Sequence, residues 1–188
     1  MPVLPNSLLR ILAITALSAG AAPPAHAETS GVSPAGFTVT LGRDIKAPPH
    51  QVFTALGQVG SWWNGAHTWS GNASNLSLAL DAGGCFCERW EGNGVMHGQV
   101  IMLKPDSMVR LQTSLGPLQA MAVNGVLTIQ EQGKDGGTAL KLTYKVVGNS
   151  DSALDQLAPA VEGVLNEQLK RLALFVETGR PDEPLSNH

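Results

Sequence analysis

Charge is scarce in this chain, and neither sign is gathered into a long run. Asp, Glu, Lys and Arg make up 14% of its 188 residues, and the formal net charge is −3. With no basic run to track a phosphate backbone, the composition argues against a nucleic-acid binder. Cysteine occurs twice and tyrosine once. The sequence has no second Cys-x-Cys and no His-x-x-x-His, so a zinc site would lack ligands. It shows no nucleophile elbow and no Ser/His/Asp spacing. No glycine-rich loop leads into a Lys-Ser/Thr helix start, which removes a phosphate-cradling loop. Internal repeats are also missing. What is present is apolar: 43% of residues are hydrophobic, enough for one well-packed core.

The most compact apolar stretch lies near the start. Arg10 precedes the small and apolar run Ile11 to Ala22, and Ala25-His26-Ala27 is a small-x-small cleavage site. This pattern predicts a signal peptide over 1–27, with the mature chain starting at Glu28. The run is short for a bilayer span, so no stable membrane insertion is expected after cleavage. Export would place the protein in an oxidising compartment, a bacterial periplasm. Residues 28–36 read as a polar linker and 180–188 as a disordered tail, leaving one domain over 37–179. The sequons at Asn72 and Asn75 read as loop composition.

Within 37–179 the hydrophobic period changes twice. Phe37, Val39, Leu41 and Ile45 alternate as a strand. Pro49 then opens a short helix carrying Val52, Phe53 and Leu56, and "VGSWWNG" continues as a second helix or turn. A Gly, Asn and Ser loop follows over 64–75. About six strands come next, separated by the turns "EGNG", "KPD" and "GKDGG". Gly125 is placed at a bulge. From Asp151 the apolar residues Leu154, Leu157, Val161, Val164, Leu165, Leu169, Leu172 and Val176 recur at helical spacing. Asp151 is the expected N-cap, Gly179 the stop, and Pro159 should bend or break the helix near its start. The fold class is α+β, an antiparallel sheet of about seven strands covered by one long C-terminal helix.

Several segments resemble the START-like superfamily, also called SRPBCC or birch-pollen-allergen-like. "IKAPPHQVFTAL" is similar to that family's opening. "SWWNGAHTW", "LDAGGCFCERW" and "VMHGQVIMLKPDSMVRL" resemble the branch named after activators of the heat-shock-protein ATPase, and "SLGPLQAMAVNGVLTI" its exported bacterial members. The resemblance covers 37–179. It implies the helix-grip fold, a curved sheet wrapped around the long helix with a cavity between them. The superfold hosts many functions, so the resemblance carries fold more than activity.

The segment Gly83 to Trp90, "GGCFCERW", concentrates the chemistry. Gly83 and Gly84 allow a sharp turn or a close backbone approach. Strand parity then sets Phe86, Glu88 and Trp90 on one face and Cys85, Cys87 and Arg89 on the other. The aromatic pair marks the first face as inward, so Glu88 would meet an apolar cavity, with its pKa raised unless it finds a partner. A Cys85–Cys87 bond is not expected: two residues along a strand span about 6.6 Å with parallel Cβ vectors, whereas bonded Cβ atoms lie about 3.8 Å apart. Two packed free thiols, or pairing between chains, is the expectation.

The resulting reading is an exported protein that binds a small hydrophobic molecule between sheet and helix. Its expected ligand-binding residues are Trp63, Trp69, Phe86, Glu88, Trp90, Met121 and Tyr144, with Glu88 and Tyr144 orienting the polar end. No cofactor or metal is expected. One alternative is a cyclase- or hydratase-type enzyme using Glu88 as acid/base. Another is a co-chaperone-like interaction domain, against which export argues.

Overall fold

The computed structural model describes residues 26–182. The expected signal peptide therefore lies outside the described residues except for its last two, and so does 183–188 of the expected tail.

The chain forms β1 (Ala27–Ser33) and β2 (Gly36–Ile45), then helices α1 (Pro49–Gly57) and α2 (Val59–Trp62). Next come β3 (Leu76–Leu78), β4 (Cys85–Trp90), β5 (Asn93–Lys104), β6 (Met108–Thr113), β7 (Asn124–Lys134) and β8 (Gly137–Val147). A 25-residue helix, α3 (Leu154–Thr178), ends the fold. All pairings are antiparallel, and the eight strands lie in the order β1-β2-β8-β7-β6-β5-β4-β3. The curved sheet and its long helix are the helix-grip arrangement.

The strand beyond the expected seven is β1. The stretch 28–36 is not a linker: Ala27 to Ser30 pair with Leu41 to Thr38 of β2, and the chain turns back at Ser33–Gly36. β1 has no apolar alternation because it is an almost fully exposed edge strand, so nothing in its side chains marks it.

Tight turns set the registers. Trp90 pairs with Asn93 across Glu91 and Gly92, whose φ values of 45° and 81° are those of a primed hairpin turn. Gly125 is not at a bulge, since β7 keeps register with both neighbours throughout. Its bareness serves a close approach: a Cβ there would lie 2.2 Å from the Thr113 carbonyl oxygen and 2.8 Å from the Tyr144 hydroxyl.

Phe37, Val39, Leu41, Leu140, Leu142, Tyr144 and Val146 form the inner face of β2 and β8, buried together with Leu165, Leu169 and Leu172 of α3. Asp151 does not cap α3. It sits in a separate 3-10 turn whose cap is the Asn149 side chain, and α3 starts after Ala153 in the left-handed region. Pro159 is inside a helix that continues through it. Gly179 ends the helix as expected, its N–H donating to the Phe175 carbonyl at 2.8 Å. The apolar stripe divides in two. Leu154, Leu165, Leu169 and Leu172 are buried, whereas Leu157, Val161, Val164 and Val176 are only half-buried.

Glu131 is a polar intruder on the inner face of β7. It is buried, and neither carboxylate oxygen has a hydrogen-bond partner among the described residues. Desolvation, assisted by the Asp106 charge, pushes its pKa up from 4.5 to about 7. Below pH 4.5 both the folded and unfolded states hold the proton, and burial costs no charge. Between pH 4.5 and 7 the unfolded chain releases the proton while the folded chain retains it, so stability falls as pH rises. Above about pH 7 the loss is complete. Glu131→Gln should therefore raise the melting temperature at pH 8 and leave it close to wild type at pH 4, as measured by circular dichroism across that range.

Candidate functional site

The first half of α3, the loop 64–75 and the inner face of β4 and β5 enclose a cavity of about 360 Å³. Leu157, Val161, Val164 and Leu165 supply the helix wall. Trp63, Leu76, Phe86 and His97 supply the opposite side, while Trp69 and His67 stand on the loop and Leu115 and Pro117 in the turn after β6. The lining is predominantly apolar, with the volume and wall chemistry of a small-molecule site.

The adjacent tryptophans take different roles: Trp62 ends α2, and Trp63 follows it in extended backbone. Trp62 is buried in the core, its indole N–H donating to the Ala55 carbonyl at 2.7 Å. Trp63 faces the cavity, with its N–H satisfied by the His67 carbonyl at 3.1 Å. Trp63 meets Phe86 edge-on at 5.7 Å between centroids, and Phe86 lies 5.0 Å from the His97 ring. These three rings form one continuous wall.

Phe86 and Glu88 share the inward face, as parity requires, and both are buried. Glu88 does not present its carboxylate to the cavity, however. One oxygen accepts the Ser70 N–H at 2.6 Å; the other accepts the Trp69 N–H at 3.1 Å and lies 2.9 Å from His97 Nε2. Burial pushes the Glu88 carboxyl up, but the bonds from Ser70, Trp69 and His97 outweigh it and leave the pKa below the ordinary carboxylate value. Glu88 has found partners, so the condition for a raised pKa is not met; two of them come from a loop, where no periodicity announces them. Glu88 is an anchor that ties loop and histidine to the sheet.

His97 lies on the inward face of β5 by alternation from Val95, which pairs with Glu88. A β-bulge follows: Cys87 pairs with Met96 but Phe86 with Gly98, so His97 and Gly98 are both buried and the parity of β5 changes after them. The hairpin turn at Glu91 and Gly92 sets the register that places His97 beside Glu88, a signal that sequence reasoning did not use.

Three other expected ligand residues are elsewhere. Trp90 is at the β4–β5 hairpin, beside a shallow depression formed by 89–94. Met121 follows the 3-10 turn Gly116–Ala120 and packs against the core. Tyr144 is fully buried: its hydroxyl donates to the Thr113 carbonyl at 3.2 Å and accepts the Leu115 N–H at 3.3 Å. Desolvation raises its pKa to about 12. It braces the turn that carries Leu115 and Pro117 and does not touch the cavity.

The cysteines overturn an expectation. Cys85 and Cys87 are joined by a disulfide on the outer face of β4. The strand is not fully extended here: the Cα atoms lie 5.4 Å apart, inside the range a disulfide spans. The earlier distance assumed a fully extended strand.

The loop is also fastened to α3. The Asn64 N–H donates to Gln168 Oε1 at 2.8 Å, the Asn64 amide donates to Glu167, and His67 Nε2 lies 3.1 Å from the other Glu167 oxygen. No group of three or more His, Cys, Asp or Glu residues suited to a metal occurs among the described residues.

No protein-family model matches this chain, and no curated protein matches it. Solved structures match over most of its length. CalU16 from Micromonospora echinospora superposes with a TM-score of 0.57 at 15% identity, covering 85% of this chain and 88% of its own. A putative uncharacterized protein from Rhizobium leguminosarum gives 0.55 at 22% identity, covering 82% and 99%. The Aha1 dimer from Colwellia psychrerythraea gives 0.53 at 19% identity, covering 76% and 97%. The chain shares its helix-grip fold with these structures. At these identities the likeness extends to the fold alone.

The intrachain bond sets a clear expectation for thiol chemistry. Unfolded, unreduced protein should titrate no free thiol, and reduction should raise its mass by about two daltons, one hydrogen per sulfur. Two titratable thiols in freshly purified, air-exposed protein would contradict the bond.

Proposed function

We propose that this protein is an exported carrier of a small hydrophobic molecule, held in the cavity between the sheet and the first half of α3. The observation that carries this reading is the cavity itself. It has about 360 Å³ of space walled by Trp63, Phe86, Val161 and Val164, beside a core of closely buried side chains. A void of that size in apolar surroundings forfeits packing energy, so it suits a site that a ligand fills. The START-like fold is compatible with such a cavity. Two further features support export: the signal-like pattern of 1–27, and a disulfide, which persists in an oxidising compartment. Among the described residues no helix is long and apolar enough to cross a membrane.

Val164 points into the cavity without being needed by the core. Val164→Trp should fill the space and weaken binding of an apolar fluorescent probe by tenfold or more, while the melting temperature stays within a few degrees of wild type. Equal probe affinity in the two proteins would remove the cavity from consideration.

The export reading has its own test. Protein recovered from the periplasm should begin at Glu28 on N-terminal sequencing. An intact N-terminus confined to cytoplasmic or inner-membrane fractions would refute it.

A further inference from the structure

The disulfide on the outer face of β4 joins residues only two apart, Cys85 and Cys87. A cross-link stabilises a fold chiefly by restricting the unfolded chain, and in that picture the shortest loop restricts it least. The linkage is reciprocal: what a bond adds to the fold, the fold adds to the bond's resistance to reduction. A disulfide closed over Phe86 alone therefore draws little protection from folding, unlike a long-range structural bridge. The fold in turn has other means of holding β4. Its ladder is paired on both sides, to β3 and to β5, and Phe86 and Glu88 are buried on its inner face.

The two cysteines differ in access. Cys85 is half-buried, whereas Cys87 is 5% exposed. Their cross-strand neighbours are Gln99 beside Cys85, and Ser77 and Met96 beside Cys87. All three are exposed, so this part of the outer face is open to solvent. Arg89, also exposed, follows on the same face. A thiolate arriving from solvent meets the Cys85 sulfur, and the leaving sulfur is that of Cys87, whose thiolate form the Arg89 charge favours.

We propose that the Cys85–Cys87 bond is a redox-active site that oxidises a dithiol. One thiolate of the partner bonds to Cys85 Sγ as the Cys85–Cys87 bond breaks and Cys87 departs as thiolate. In this mixed disulfide Cys87 stays beside the new bond, so a monothiol is readily expelled and completes the exchange only through a second molecule. A dithiol carries its second thiol with it. That thiolate attacks the partner's own bonded sulfur and releases Cys85. Two electrons pass from partner to protein, the partner becomes a disulfide, and its two thiol protons end on Cys85 and Cys87. The reaction does not use the cavity, so it is independent of the carrier reading.

The first test equilibrates native protein in buffers of reduced and oxidised glutathione, traps thiols by alkylation and counts them by mass. Excess reduced glutathione should convert the protein to the dithiol with its circular dichroism unchanged, whereas structural disulfides resist the glutathione pool. Next, stoichiometric dihydrolipoamide and a reduced Cys-Gly-Gly-Cys peptide should each lose about two daltons as the protein gains them. The faster of the two tells whether the natural dithiol is a small molecule or a peptide segment. Finally, oxidised glutathione should capture Cys87→Ser about tenfold faster than Cys85→Ser, because the remaining thiol is accessible only in the first. A bond that withstands the glutathione buffer until the protein is unfolded, or that oxidises neither dithiol, would overturn the proposal; these readouts use wild type and need no variant to fold. Equal capture of the two variants would overturn the assignment of Cys85 as the attacked sulfur.

Discussion

The buried carboxylate of Glu88 is the contact on which the candidate site depends. It lies on the inner face of a sheet where an unpaired charge would be expelled or neutralised. Instead it gathers two backbone N–H groups from the 64–75 loop and the imidazole of His97. The loop has little apolar content with which to hold itself down: Trp69 is exposed, Thr68 lines the cavity, and Ala73 packs against the core. Charge-assisted hydrogen bonds to a fixed carboxylate replace the packing it lacks. On its other side the loop is tied to α3 through Asn64 and His67, which meet Gln168 and Glu167. The loop thus bridges sheet and helix and walls the space between them, so the cavity exists because a polar network spans a gap that apolar side chains leave empty.

The β5 bulge connects three features that are separate in sequence. The hairpin register that pairs Glu88 with Val95 puts His97 on the same inward face, beside Glu88, and the ladder shifts there by one residue. On the outer face at the same step, Cys85 and Cys87 are bonded. Phe86 sits between the two cysteines, its ring against both Trp63 and His97. The disulfide closes only a very short loop, so in the chain-entropy picture it restricts the unfolded chain little compared with a long-range bridge. Its local effect is to fix the backbone on either side of Phe86, the residue at the centre of the aromatic wall.

Much of this was legible in sequence wherever one periodicity governed the chain. Alternation through Phe37, Val39 and Leu41 and through Leu140, Leu142 and Tyr144 gives the central strands, and the seven-turn apolar stripe gives α3. Glycine chemistry marks the turns at Glu91–Gly92 and Gly83–Gly84; a Cβ on Gly84 would lie 2.1 Å from the Ala79 carbonyl oxygen. The parity of β4 correctly turns Phe86 and Glu88 inward. Illegible features were those set by something other than alternation. β1 is a strand by backbone pairing alone. The change of parity in β5 after His97 comes from an inserted residue. Tyr144 is indeed inward, but its hydroxyl is consumed by the Thr113 carbonyl and the Leu115 N–H, and parity says which face a side chain takes without saying whether it reaches a void there.

The two halves of α3 show why the void lies where it does. Its second half carries Leu165, Leu169, Leu172 and Ala173, buried in the core. Its first half begins without a side-chain cap and contains Pro159, which removes one helical hydrogen bond, and Gly163, whose Cβ position would meet nothing within 4 Å. A helix segment with weak intrinsic propensity is normally held by packing, yet here the facing side chains Leu157, Val161 and Val164 are only half-buried against a cavity. Local opening costs least where buried apolar contacts are fewest. Leu154, Ala158, Leu169 and Leu172 hold α3 in the core, while the face carrying Leu157, Val161 and Val164 roofs the site. An apolar molecule occupying the cavity would supply the contacts that Leu157, Val161 and Val164 lack, so ligand binding and the ordering of this half of the helix are thermodynamically linked.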